Sequence, residues 1–223
     1  LLTMARRGVT VTDVVNLNKI IADYLASPEH GKLRSFHPDV RIDCDLATTM
    51  LNIMGSPVHL AKSIMNLVSN AAEAMPEGGT ITIRTSNAYI DTPLEGYDIV
   101  EEGDYVVFHI SDTGIGIPEK DLKRIFEPFY TKKIMGRSGT GLGMSVVWAT
   151  VKDHKGYIDV SSTIGSGTTF TLYFPATREI DTQVADKLDD VGPEVGLQPP
   201  PHGREGCIVI HGRESDTCPA PPP

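Results

Sequence analysis

The 223-residue chain carries 20 Lys and Arg against 29 Asp and Glu, a formal net charge of −9, and is 40% hydrophobic and 22% charged. That suits one principal domain with short appendages, and the acidic balance excludes a broad nucleic-acid footprint, which needs clustered cations. Cys44, Cys207 and Cys218 have no metal-ligand spacing and fit a reducing compartment better than a disulfide framework, and no apolar run approaches the roughly 20 residues that span a bilayer.

In chain order, residues 1–12 open without Met and end a cut helix at Gly8, so the chain reads as a fragment. Ile20, Ile21, Tyr24 and Leu25 share one helical face behind an Asn16 cap, and Ser27-Pro28 starts a second short helix. Val40, Ile42 and Cys44 alternate as a strand, with residues 50–54 expected as its hairpin partner. Ser56-Pro57 opens the strongest helix, predicted to run to about Met75 and to stop at Pro76-Glu-Gly-Gly. Residues 80–89 and 104–111 read as two long strands joined by a polar loop, and Pro118 begins a short helix. Residues 126–141 lack periodicity and read as a mobile loop. Leu142 to about His154 returns to a helical pattern, and strands at 156–162 and 168–174 flank the turn Gly165-Ser-Gly167. Half of the 16 prolines fall in residues 176–223, so that tail reads as disordered, with Cys207-Ile-Val-Ile210 able to form one stray strand.

Four boxes carry chemistry: Asn66-Leu-Val-Ser-Asn70, Asp112-Thr-Gly-Ile-Gly116, Phe126-Glu-Pro-Phe129 and Gly139-Thr-Gly-Leu-Gly143. Asn66 and Asn70 lie on one face of the long helix, with Ser63 and Glu73 extending the stripe. The Asn70 amide oxygen suits Mg²⁺, a hard ion that takes oxygen donors; two buried amides satisfying backbone groups would fit the pair equally. Asp112 ends an apolar strand before close-approach glycines, and its carboxylate can accept from the six-amino group of adenine while repelling the six-oxo group of guanine. Asp-Thr-Gly is also an ordinary turn, found in aspartic proteases. Gly139, Thr140, Gly141, Leu142 and Gly143 lead into a helix N-terminus, where phosphate is the natural guest. A loop precedes them, not the strand of a dinucleotide-binding unit. Lys132, Lys133 and Arg137 form a local basic cluster facing the phosphates, or else a solvated loop, while Phe126 and Phe129 suit either a lid anchor or a core.

The ordered boxes, together with Phe126-Glu-Pro-Phe-Tyr-Thr-Lys-Lys133 and Gly165-Ser-Gly-Thr-Thr-Phe170, make residues 13–176 resemble the catalytic ATP-binding domain of two-component sensor histidine kinases. The resemblance implies the Bergerat fold, an α/β (α+β) two-layer sandwich of a mixed sheet packed against helices, with an ATP lid. It implies ATP and Mg²⁺ as cofactors, Asn70 on the metal and Asp112 on adenine. Gly114, Gly116 and Ile117 would form the adjoining turn, with Phe126 at the lid. Lys132, Lys133 and Arg137 would meet the phosphates, with Gly139 to Gly143 at the γ-phosphate end. Asn66, Asn70 and Lys133 would be the catalytic set. Hydrolysing relatives place a Glu where this chain has Asn66, so transfer is favoured over hydrolysis. The alternatives are a Bergerat-fold ATPase and a non-catalytic ATP-binding or scaffold module.

Two departures qualify the resemblance. Glu73 stands where many relatives have Lys or Arg, shifting phosphate binding onto Lys132, Lys133 and Arg137, and none of the seven His has the acidic-follower setting of a phosphoacceptor. Residues 1–12 therefore read as the end of a dimerisation helix, with the acceptor His on that separate domain. Residues 177–223 read as a Pro-rich tail, whose Arg204 to Ile210 stretch is similar to the start of a receiver domain, as in hybrid kinases. The implied partners are the dimerisation domain of a homodimeric parent and a response-regulator receiver. The implied location is cytoplasmic, whether or not the parent is membrane-anchored.

Overall fold

The computed structural model describes residues 13–131 and 141–179, and the backbone of residues 207–210. The expected end of a dimerisation helix, most of the tail and residues 132–140 lie outside the described residues. Two layers are present, a mixed sheet and a layer of helices on one of its faces.

The helices follow their sequence signals. α1 (Leu17–Leu25) is capped by Asn16, whose side chain accepts from the Lys19 N–H, and α2 (Pro28–Phe36) by Ser27 with Pro28 in the first turn. α3 (Pro57–Glu73) turns Leu60, Ile64, Leu67 and Val68 into the core. α4 (Glu119–Leu122) is a single turn after Pro118, and α5 (Gly143–Asp153) buries Val147 and Val151 against α3.

The spine of the sheet is three antiparallel strands, β4 (Gly79–Ile90), β7 (Gly103–Asp112) and β9 (Gly167–Thr177). Along the free edge of β9 lie β8 (Tyr157–Thr163) and β3 (Asn52–Gly55), and β3 carries β1 (Asp13–Val15). Along the free edge of β4 lie two parallel strands, β2 (Val40–Leu46) and β10 (Cys207–Ile210). The stray strand anticipated at 207–210 thus docks beside Asn87 to Ile90.

The expected hairpin between residues 40–46 and 50–54 does not form. β2 pairs with β4, and β3 goes to β1 and β9. The cause lies in two buried polar side chains of β4. The Thr85 hydroxyl accepts from the Ala47 N–H at 3.1 Å, while the Asn87 amide accepts from Leu51 N–H and donates to Thr49 C=O at 2.9 and 2.8 Å. Backbone groups that a hairpin ladder would have paired are satisfied by those side chains, and the chain crosses over.

Strand parity divides the sheet into two faces. Ile81, Ile83, Phe108, Ile110, Leu172 and Phe174 point toward the helices, each at most 2% exposed, and each such buried side chain contributes roughly 1.5–3 kcal/mol. On the outer face Ala88, Ile90, Tyr105, Val107 and Tyr173 form a second cluster. A small hairpin, β5 (Leu94–Glu95) with β6 (Ile99–Val100), covers it through Leu94 and Val100; it lies in what the sequence presented as a polar loop.

Helices α3 and α5 are tied at one end by a histidine. His154, 4% exposed, donates from Nδ1 to Thr150 C=O at 2.6 Å and accepts the Ser56 N–H on Nε2 at 2.9 Å, which requires the neutral ring. Burial holds its pKa below the ordinary 6.5, and burial does the same to His109, with Arg84 adding to the effect there. Both groups bind protons more readily when unfolded. Stability from them is therefore complete above about 6.5 and is lost as pH falls from there through the lower folded values. The urea midpoint is expected to drop between pH 7 and pH 5, and a midpoint that stays flat or rises contradicts the assignment. Among the described residues no helix is long and apolar enough to cross a membrane.

Candidate functional site

The inward row of β7 runs Val106, Phe108, Ile110 and then Asp112, so parity delivers a carboxylate to the helix side at the strand's end. Asp112 is 6% exposed, and its Oδ1 accepts from the Gly114 N–H at 2.9 Å and the Thr168 N–H at 3.3 Å. Burial pushes its pKa above the ordinary 3.8, and those two N–H donors pull the other way. Both bonds fall on Oδ1. Oδ2 is left to meet a donor from a ligand.

The turn after Asp112 is stitched to the β8–β9 turn. The Gly165 N–H donates to Ile115 C=O at 2.9 Å, and the Ile117 N–H donates to the Ser162 hydroxyl at 2.7 Å. Gly116 has φ +71°, and a Cβ there would stand 2.2 Å from the Thr163 carbonyl oxygen, so only glycine permits this approach.

Facing Asp112 across the cleft are Asn66, Ser69, Asn70 and Glu73 of α3. The Asn66 amide nitrogen donates to Gly143 C=O at 3.2 Å, joining α3 to the first turn of α5, and the Ser69 hydroxyl donates to Glu73 at 3.1 Å. The polar stripe was expected to include Ser63, but that residue is 2% exposed in the core and its hydroxyl has no partner among the described residues. The helix rotates it off the cleft. The third wall is the start of α5 with Gly141 and Gly143, where first-turn N–H groups and the helix dipole favour an anion. Across the base of the 132–140 segment, the Phe129 N–H donates to Gly141 C=O at 2.9 Å, both residues having left-handed φ of 66° and 68°.

These walls enclose a cleft of about 620 Å³, the size of a small-molecule site. Of the sequence-predicted residues, Asn66, Asn70, Asp112, Gly116, Ile117, Gly141 and Gly143 line it. Gly114 stands behind Asp112, and Leu142 caps α5. Phe126 is 8% exposed, its ring packed on Trp148 and Phe170 behind the wall. Lys132, Lys133, Arg137, Gly139 and Thr140 lie outside the described residues.

Sequence reasoning missed Thr168, which read only as the residue after a turn, although its N–H fixes the Asp112 carboxylate. It also missed the apolar lining from Ile110, Ile115, Ile125, Met144 and Phe170. An apolar slot beside a buried carboxylate suits a flat heterocycle with an exocyclic amine. Among the described residues no group of three His, Cys, Asp or Glu could hold a metal by itself. The α3 wall brings the oxygen-bearing side chains of Asn66, Asn70 and Glu73 to the cleft, a donor set that fits Mg²⁺ when phosphates and water complete its shell, since this ion seldom takes an all-protein cage.

The family model described as "Histidine kinase-, DNA gyrase B-, and HSP90-like ATPase" matches residues 55–178. Sensor kinase CckA of Brucella abortus (strain 2308) is 38% identical over 189 residues, taking in 83% of this chain and 19% of its own length. Sporulation kinase E of Bacillus subtilis (strain 168) is 34% identical over 149 residues, 67% of this chain and 18% of its own. The chain thus spans about a fifth of the length of these relatives. Among solved structures, the catalytic domain of histidine kinase ThkA superposes with a TM-score of 0.58 at 26% identity, covering 74% of this chain and 95% of that one. Full-length ShkA in complex with AMPPNP gives a TM-score of 0.56 at 21% identity over 76% of this chain and 32% of that one, a likeness of fold alone.

Proposed function

Since the chain belongs to the histidine kinase-, DNA gyrase B- and HSP90-like ATPase family, we propose that it is the phosphodonor domain of a two-component sensor histidine kinase. It binds Mg-ATP and passes the γ-phosphoryl to a His on a dimerisation domain outside the described residues. The parent is a cytoplasmic-facing homodimer that hands the phosphoryl on to a response-regulator receiver.

Asp112 accepts from the adenine six-amino group through Oδ2, while Gly114 and Thr168 hold Oδ1. The ring lies in the apolar slot of Ile110, Ile115 and Phe170, and the phosphates run toward Gly141 and Gly143 at the head of α5. Lys132, Lys133 and Arg137 supply the cations there, with the backbone of Gly139 and Thr140. Asn70 would hold Mg²⁺, which would supply neutralisation of phosphate charge. An imidazole nitrogen of the acceptor bonds to the γ-phosphorus as the bond to the β–γ bridging oxygen breaks, and ADP leaves with that electron pair.

The observation that favours transfer over hydrolysis is Asn66. It stands where the family resemblance implies a water-activating Glu, and its amide donates to Gly143 C=O. A neutral amide held in that way accepts no proton from water.

The test supplies a His-containing dimerisation domain with γ-labelled ATP and Mg²⁺. Acid-labile label on its His is the expected result, with little phosphate released when the acceptor is omitted. An unlabelled acceptor despite bound nucleotide overturns the transfer reading, and steady phosphate release that disappears in Asn66→Ala identifies an ATPase instead.

A further inference from the structure

The β5–β6 hairpin does more than cover the outer cluster. Its feet, Leu94 and Val100, stand on the outer face of the sheet, yet its tip at Gly96, Tyr97 and Asp98 reaches past the free edge of β8 to the helix side. The Tyr97 N–H donates to Asp159 Oδ1 at 3.0 Å, and the Ile158 N–H donates to Asp98 Oδ2 at 3.4 Å. The edge strand is thereby blocked against further pairing. A Cβ on Gly96 would stand 2.6 Å from Asp159 Oδ1, so the tip lies hard against β8.

On the helix side the tip makes two further holds. Asp98 forms a close ion pair with Lys152 of α5, whose ammonium also lies 4.7 Å from the Trp148 ring centroid. The Tyr97 ring meets Phe126 edge-on at 5.1 Å and Trp148 at 5.9 Å. Phe126 in turn packs on Phe170 at 6.5 Å, and both Phe170 and Ile125, the neighbour of Phe126, line the cleft. One chain of contacts runs from the hairpin tip, through Phe126, to the wall of the nucleotide site.

We propose that Tyr97 and Asp98 are positioning residues for that wall: the hairpin buckles β8 to α5 and holds Phe126, and so Ile125 and Phe170, in the place that grips the adenine ring. This rests on the ATP reading of the cleft. The Tyr97 ring acts by its edge contacts, each a modest packing gain, and the Asp98 carboxylate holds the tip in reach of α5. Neither residue is among those lining the cleft. Their effect passes through Phe126.

The test uses the full chain and two readouts. Without nucleotide, amide exchange at residues 125–131 is followed. With Mg²⁺ and a fluorescent adenine nucleotide, its dissociation rate is followed by stopped flow. Tyr97→Ala is expected to speed exchange in that stretch and to raise the dissociation rate about tenfold, while Tyr97→Phe, which keeps the ring, stays within about twofold of the parent. Asp98→Asn, which removes the ion pair at little risk to folding, is expected to raise it about threefold. Faster exchange together with failure of the parent chain to bind any adenine nucleotide upholds the buckle and removes the ATP reading. Unchanged exchange at 125–131 and unchanged dissociation in Tyr97→Ala and Asp98→Asn overturn the proposal, as does a Tyr97→Phe variant that fails as fully as Tyr97→Ala.

Discussion

Replacing Asp112 with Asn is expected to weaken ATP binding by about 100-fold while leaving the thermal midpoint unchanged or slightly raised. The two effects separate because the carboxylate is costly to the fold and useful to the ligand. Burial raises its pKa, so keeping the carboxylate charged costs the fold some stability, and a neutral amide relieves that cost. The Gly114 and Thr168 N–H groups still find an acceptor in the Asn oxygen. That leaves the amide NH₂ facing the ligand, where it opposes the six-amino group of adenine and complements the six-oxo group of guanine. ATP and GTP affinities, measured by calorimetry on the same preparation, are therefore expected to differ widely in the parent chain and to converge in Asp112→Asn. Equal affinity for the two nucleotides in the parent chain would remove the assigned role. The parent should also lose ATP affinity as pH falls through the raised pKa of Asp112, where the acceptor becomes a donor.

The sequence made most of this site legible because its chemistry is local. Asp112 is recognisable as the end of an alternating strand followed by glycines, and Asn66 and Asn70 as neighbours on one helical turn, each from a window of a few residues. What brings them together is not local. Thr168 fixes the Asp112 carboxylate from 56 positions away, and nothing about a Thr after a glycine turn announces that contact. The apolar slot was equally silent, since Ile110 and Phe170 read only as ordinary strand interiors.

The same limit explains the misassigned hairpin. Alternation identified β2 and the neighbourhood of β3, but it carries no information about partners, and the decision was made by Thr85 and Asn87 bonding the backbone of residues 47–51. Ser63 failed for a related reason: the helical wheel put it beside Asn66, whereas the packing of α3 against the sheet turned it into the core. Helix boundaries, by contrast, were set by caps and prolines, and those signals lie within the helices' own ends.

Asn70→Ala is expected to lower the rate of phosphoryl transfer by about 1,000-fold, with affinity for ATP measured in the absence of Mg²⁺ changing less than about threefold. The cleft has two distinct faces. In the proposed reading adenine belongs to the β7 side, with Asp112 and the turn that follows, whereas Asn70 lines the cleft from α3 with Ser69 and Glu73. Asn66→Ala makes the informative contrast on the same helix. It removes the bond to Gly143 C=O and so loosens α3 from α5, a cost of about 1 kcal/mol that shows in the thermal midpoint and leaves the Mg²⁺ concentration dependence of transfer unmoved. Asn70→Asp should fall between, because it keeps an oxygen donor but adds a charge facing phosphate. Titrating Mg²⁺ at saturating ATP for the three variants distinguishes these roles. If Asn70→Ala keeps the parent's Mg²⁺ dependence, the metal is held elsewhere, and Asn70 is a structural amide like its neighbour one turn earlier.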